Sequence, residues 1–83
     1  MFEYDLMANL AVETLDKYDF GKDLEYCRQN RRMDAWDIWN YLENQHGPEV
    51  EDAFSNLSLS EFMKYLTDRY NVRWREIREY HMF

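Results

Sequence analysis

Few side chains in this sequence could carry out chemistry. The groups best suited to nucleophilic or acid–base work are one cysteine, Cys27, and two histidines, His46 and His81. One thiol and two imidazoles do not make a zinc framework, and a single cysteine forms no intrachain disulfide. The sequence also contains no Gly-rich phosphate loop, H-E-x-x-H motif, EF-hand loop or nucleophile elbow. We therefore predict no catalytic residue, no cofactor and no metal ion, and a protein that is not an enzyme.

Each of these groups also has a structural interpretation. Cys27 falls on the inward side of a short predicted helix, where a thiol packs as a small hydrophobe. His46 comes immediately before Gly47, at a predicted helix end where positive charge complements the helix dipole. The carboxylate pair Glu49 and Glu51 lies on a predicted surface, without the desolvated cleft that separates the pKa values of a catalytic pair. We favour the structural interpretation in each case.

The charge of the chain is negative and unevenly distributed. The net charge is −7, with thirteen acidic and five basic side chains in residues 1–60 and four acidic and five basic ones in residues 61–83. An acidic body repels nucleic acid and attracts basic protein surfaces, although negative charge also simply keeps a small aromatic-rich protein soluble. Aromatic side chains on the predicted third helix are further candidates, because tryptophan and tyrosine dominate interface energetics. Our candidates for partner binding are Asp5, Glu13, Asp16, Trp36, Tyr41, Glu49, Glu51 and Asp52.

The basic end of the chain supports an alternative in which the protein binds DNA. Contacts from lysine and arginine to phosphates supply most affinity for DNA, and arginine reads guanine well. Glu76 and Glu79 lie at helical spacing from neighbouring arginines, which favours internal ion pairs over a continuous basic face. The sequence therefore argues against nucleic acid as the partner. The residues that would carry this alternative are Arg69, Arg73, Arg75 and Arg78.

The clearest helix signals lie in the last third of the chain. Ser58 and Glu61 have the spacing of a capping box, and Leu57 and Phe62 have that of a hydrophobic staple. Apolar residues then recur every three or four positions up to Asn71, a residue that tolerates the left-handed conformation in which many helices end. Apolar spacing resumes after this residue. The pattern predicts a second helix there and, with it, a helix-turn-helix-like pair.

Four earlier helices follow from the same kind of pattern. Apolar spacing predicts helices over residues 3–18, 22–30 and 35–45, the third of them capped by Asp34. A short fourth helix begins at the acidic residues from Glu49, whose charges complement the helix dipole. The predicted core consists of Leu10, Leu15, Trp39, Leu42, Phe54, Phe62, Leu66, Trp74 and Ile77.

The length and composition indicate one small all-α domain, residues 1–83, with five to six short helices. Only two glycines and one proline occur, so the connections are short. The N-terminus lacks the basic and apolar regions of a secretory signal, and no apolar stretch approaches the roughly 20 residues that span a bilayer. We therefore expect a soluble cytoplasmic protein without a membrane partner.

The hypothesis that fits these features best is a non-enzymatic acidic domain that binds a protein with a basic surface. Such a domain could inhibit a nucleic-acid-handling partner by occupying its basic groove. Inhibitors encoded by phages and mobile elements, including anti-CRISPR and anti-restriction proteins, are similar in size and charge, although no motif here matches them. DNA binding is the first alternative. A self-associating helical module, with exposed aromatic side chains in a homodimer interface, is the second.

Overall fold

The computed structural model describes residues 6–31 and 34–74. Those residues form five α-helices and no β-strand, which confirms the predicted all-helical class. The α1 helix packs most extensively against α4, while α3 contacts both α4 and α2. The helices are α1 (Leu6–Leu15), α2 (Gly21–Gln29), α3 (Ala35–His46), α4 (Pro48–Ser55) and α5 (Leu59–Tyr70).

Local signals in the sequence set the ends of α3 and α5. The Asp34 carboxylate accepts a hydrogen bond from the Trp36 backbone N–H at 2.8 Å and so caps α3. The predicted capping box is present at α5: the Ser58 hydroxyl accepts from the Glu61 N–H, and the Glu61 carboxylate accepts from the Ser58 N–H. Asn71 ends α5 in the left-handed conformation, with φ 57° and ψ 38°.

The turn between α3 and α4 is a single residue. Gly47 has a φ of 88°, a value that a side chain would make costly, and its N–H donates to the Glu43 carbonyl. Pro48 then occupies the first turn of α4, where its fixed φ suits the helix and its missing N–H is not needed. The sequence predicts Gly47 and Pro48 as the stop of α3, and in the structure they also start α4.

Four aromatic rings are part of a core that is otherwise mainly aliphatic. Phe20, Phe54, Phe62 and Tyr65 are fully buried, and the Phe54 and Phe62 rings meet edge to face at 5.0 Å. Trp39 is half-buried and packs against both of these rings. Five residues of the predicted core are buried as expected, whereas Trp74 is half-buried against the core and Ile77 lies outside the described residues. The five are Leu15, Leu42, Phe54, Phe62 and Leu66.

The prediction that Leu10 belongs to the core is wrong, because this side chain is half exposed. The buried stripe of α1 instead consists of small and medium residues: Ala8, Ala11, Val12 and Leu15. Alanines at a helix contact allow the two backbones to approach closely, and Ala53 on α4 is also buried. Leu6, Met7 and Leu10 are exposed on the other side of α1.

The predicted end of the first helix differs from the structure, and the helix predicted after Asn71 is only partly described. The first helix is predicted to reach Tyr18 but ends at Leu15, and residues 16–18 form a turn. Asp16 and Tyr18 use this turn to reach other helices. The predicted helix after Asn71 lies mostly outside the described residues, which end at Trp74, so the helix-turn-helix-like pair stays a prediction.

Candidate functional site

An exposed apolar stripe runs along the start of α1. The exposed fractions of Leu6, Met7 and Leu10 are 73%, 53% and 50%. These residues occupy one side of the helix because positions four and three apart lie on the same face. Single exposed apolar residues are normal on a protein surface, but neighbouring ones on one helix form a patch of the kind used in docking.

A shallow groove of about 210 Å³ lies between α1 and α4, directly beside this stripe. Leu10, Ala11 and Ala53 form its apolar part. Its polar part consists of Thr14 from α1 and of Glu49, Asp52 and Asn56 from α4 and its C-cap. The groove therefore combines hydrocarbon surface with two carboxylates.

The two helices that form the groove carry acidic side chains and contain no lysine, arginine or histidine. Glu49 and Asp52 line the groove. Glu13 is exposed on α1, three positions after Leu10, and Glu51 is exposed on α4 without lining the groove. The structure thus brings four of the predicted partner-binding residues onto one pair of helices.

Tyr18, which sequence reasoning missed, donates a hydrogen bond from its hydroxyl to Glu49 Oε1. That hydrogen bond is the main cause that raises the pKa of Tyr18, since losing the phenol proton would leave two negative groups in contact. The Tyr18 ring also meets the His46 ring edge to face at 5.5 Å. His46 Nε2 lies 2.7 Å from Asp23 Oδ2, in a half-buried contact between α3 and α2. Of these contacts, only the hydrogen bond from Tyr18 reaches Glu49, while His46 and Asp23 link the Tyr18 ring to α2 and α3.

Asp16 is a candidate for protein binding and Arg69 a candidate for DNA binding, and in the structure the two side chains are paired with each other. Arg69 donates to both carboxylate oxygens of Asp16 at 3.1 Å, and the Tyr65 hydroxyl donates to Oδ1 at 3.0 Å. The Arg69 hydrogen bonds are the main reason that the pKa of Asp16 is lowered from its usual 3.8. Neither residue lines the groove, and their pairing joins the end of α1 to α5.

The two aromatic candidates lie on α3 and do not line the groove. Trp36 is exposed, and its ring lies 5.2 Å from that of Trp39. Tyr41 is half-buried and stacks on Tyr26 with ring centroids 4.9 Å apart. The structure therefore does not join Trp36 and Tyr41 to the acidic candidates.

The remaining candidates are only partly described. Arg73 is exposed and lines a wide cavity of about 520 Å³ with Thr67, Asn71 and Trp74. The other candidates of the two predicted sites lie outside the described residues: Asp5, Arg75 and Arg78.

Within residues 6–31 and 34–74, histidine, cysteine and carboxylate side chains form no group of three or more that could hold a metal ion. In the same part of the chain, no helix combines the length and the apolar character needed to cross a membrane. Cys27 is buried, as expected for a packed thiol.

Comparisons with known proteins do not identify a relative: no family model matches the chain, and no curated protein and no solved structure matches it.

Proposed function

We propose that this chain is a non-enzymatic binding domain whose α1/α4 face docks on a basic surface of another protein. The observation that carries the proposal is the combination on that face: an exposed apolar stripe beside a groove whose two helices carry only acidic charge. Apolar contact supplies affinity once water is displaced. Charge of opposite sign steers the partner into place and rejects acidic partners.

The partner class follows from the charge. Protein surfaces that bind nucleic acid are basic, because they must neutralise phosphates. A compact acidic domain that covers such a surface excludes the nucleic acid. We infer that the chain acts as an inhibitor of a nucleic-acid-handling partner.

Self-association through the same face is less well supported. In a symmetric dimer each residue of the patch faces the same patch on the other copy. Glu13, Glu49 and Asp52 would then be brought close to their own counterparts, and like charges destabilise an interface. DNA binding is also less well supported, because Arg69 is already paired with Asp16.

The test is capture of basic proteins on the immobilised full chain, identification by mass spectrometry, and measurement of the affinity at increasing salt. We expect the affinity to fall as salt rises from about 0.05 M to about 0.3 M, because the Debye length shortens over that range. We also expect the partner's own nucleic acid to compete with the chain.

A matched pair of substitutions locates the surface. Asp52→Lys reverses a charge in the groove, and Glu25→Lys makes the same change in net charge on α2. We expect the first to abolish capture and the second to leave it nearly unchanged. Equal effects of both would mean that total charge, rather than the α1/α4 face, drives binding, and salt-independent binding would contradict the electrostatic mechanism.

A further inference from the structure

The dimensions of the α1/α4 groove limit what it can hold. Its volume of about 210 Å³ lies below the roughly 300–1,000 Å³ of a typical small-molecule pocket. It is open along one side and lies beside the exposed stripe of α1. A groove of this size on a docking face suits a single long side chain that projects from a protein partner.

The chemistry of the lining changes along the groove. Leu10, Ala11 and Ala53 offer hydrocarbon surface, which suits the methylene stem of a long basic side chain. Glu49 and Asp52 are three positions apart on α4, so their side chains lie on one face with Cβ atoms roughly 5–6 Å apart. A side chain that is apolar along its stem and cationic at its tip matches both parts.

The number of acceptors distinguishes between the two long cations. Glu49 and Asp52 offer four carboxylate oxygens, and the side chains of Thr14 and Asn56 add two further oxygens. A guanidinium group has five N–H donors in a planar fork that fits carboxylates in pairs, whereas an ammonium group has three donors around a point. The lining therefore favours arginine over lysine.

Glu49 is held in place before any partner arrives. The Tyr18 hydroxyl donates to its Oε1, and the Tyr18 ring lies against His46. A carboxylate oxygen has a second lone pair, and Oε2 takes no part in this hydrogen bond. Among the described residues, the Asp52 carboxylate has neither a hydrogen bond nor an ion pair. One acceptor is thus fixed and the other is available.

We infer that the α1/α4 groove is a pocket for one arginine side chain of the protein partner. An apolar residue next to that arginine packs on the exposed stripe of Leu6, Met7 and Leu10. This inference rests on the proposed function and names the chemistry of the partner. Tyr18 is the positioning residue, since it acts on the guanidinium only through Glu49.

The experiment uses the full chain and three short helical peptides that differ at one position. That position is arginine, lysine or citrulline, and each peptide carries leucine one turn away. We expect the arginine peptide to bind about tenfold more tightly than the lysine peptide, and the citrulline peptide to bind more weakly than either.

Substitutions on α4 then test which carboxylate causes the preference for the arginine peptide over the lysine peptide. Glu49→Gln and its matched control Glu51→Gln remove the same charge from the same first turn of the same helix. We expect Glu49→Gln to remove the preference for arginine and Glu51→Gln to retain it. Tyr18→Phe should reduce the preference while leaving the charge unchanged. Thermal unfolding of each variant shows whether it is folded.

The outcomes separate this inference from the function on which it rests. Equal, salt-sensitive binding of the arginine and lysine peptides overturns the arginine pocket and leaves the acidic docking face intact. No binding of any peptide, together with equal partner capture by Asp52→Lys and Glu25→Lys, overturns both. A dimer in sedimentation that Leu10→Lys dissociates would show that a second copy covers the groove, and it would also overturn the inference.

Discussion

Arg69 and Asp16 form a two-point ion pair that joins α5 to the turn after α1. Arg69 Nε donates to Oδ1 and Nη2 donates to Oδ2, each at 3.1 Å. The guanidinium also lies over the Tyr65 ring, 5.4 Å from its centroid, and the Tyr65 hydroxyl donates to the same carboxylate. Two residues that the sequence assigns to opposite functions are therefore part of the scaffold.

The first prediction concerns acid stability. The pKa of Asp16 is lowered in the folded chain, chiefly by Arg69, so its contribution to stability is present above the usual value of 3.8. That contribution is lost as the pH falls from there through the lowered value. We expect Asp16→Asn to cost about 0.5–1 kcal/mol at neutral pH, because both partners are partly exposed and screened.

Urea unfolding at several pH values tests this prediction. The difference in unfolding free energy between the wild type and Asp16→Asn should disappear in strong acid. Asp68→Asn, which removes the carboxylate of a comparably exposed pair with Lys64 within the single helix α5, serves as the control. A constant difference between the wild type and Asp16→Asn at all pH values would contradict the ion-pair account.

The second prediction concerns alkaline stability. Burial, and next the hydrogen bond to Asp16, raise the pKa of Tyr65 well above its usual 10.0. Because the pKa of Tyr65 is higher in the folded chain than in the unfolded chain, its contribution to stability is fully present below the unfolded pKa. That contribution decreases as the pH rises above about 10, where the unfolded chain loses the phenol proton first. We expect wild-type stability to fall steeply there and Tyr65→Phe to show a shallower fall. Ultraviolet absorbance of the phenolate, measured as the pH is raised, should show that Tyr65 ionises only when the chain unfolds. Ionisation of Tyr65 in the folded chain would contradict the prediction.

The third prediction concerns the contact between α2 and α3. His46 and Asp23 are only about one-fifth exposed, and the His46 ring lies 4.9 Å from that of Phe20. We expect Asp23→Ala to destabilise the fold by about 1–2 kcal/mol, because it leaves a largely buried imidazole without its carboxylate partner.

Glu25→Ala is the matched control on the same helix, since its ion pair with Arg28 is more than half exposed. We expect a change within about 0.5 kcal/mol for this variant. Chemical denaturation monitored by tryptophan fluorescence measures both. Similar losses for the two variants would show that the His46 contact contributes little.

The fourth prediction concerns the start of α5. Ser58→Ala removes the hydroxyl that accepts from the Glu61 N–H and should cost about 1 kcal/mol. Ser60→Ala removes a neighbouring exposed hydroxyl that lies 3.3 Å from Ser58 Oγ but is not the acceptor for the Glu61 N–H, and it should stay within about 0.5 kcal/mol. The same denaturation assay compares them. Equal stabilities would mean that the cap is not formed in solution.

The sequence predicts those features that depend on a few neighbouring residues. The starts of α3 and α5 follow from Asp34 and Ser58, whose side chains cap the adjacent N–H groups, and Asn71 marks the end of α5. The end of α1 could not be predicted, because Leu15 and Tyr18 keep helical spacing and no terminator occurs before Gly21.

The candidate site depends on packing that spacing alone does not reveal. When a helix has apolar residues on several sides, its sequence does not determine which side is buried. In α1, the contact with α4 buries the side that contains Ala8 and Ala11. That choice exposes Leu10 and creates the groove. Tyr18 was missed because its partner, Glu49, is 31 positions away and on another element.

The proposed function places the docking face on α1 and α4. The most direct test is to titrate the isotope-labelled full chain with the arginine–leucine peptide and to map the amide shifts by NMR. We expect the largest shifts at residues of α1 and α4, including the Asn56 side-chain amide, and small shifts at Trp36 and Tyr41. Shifts centred on α3 or on residues 69–74, with α1 and α4 unaffected, would contradict the claim.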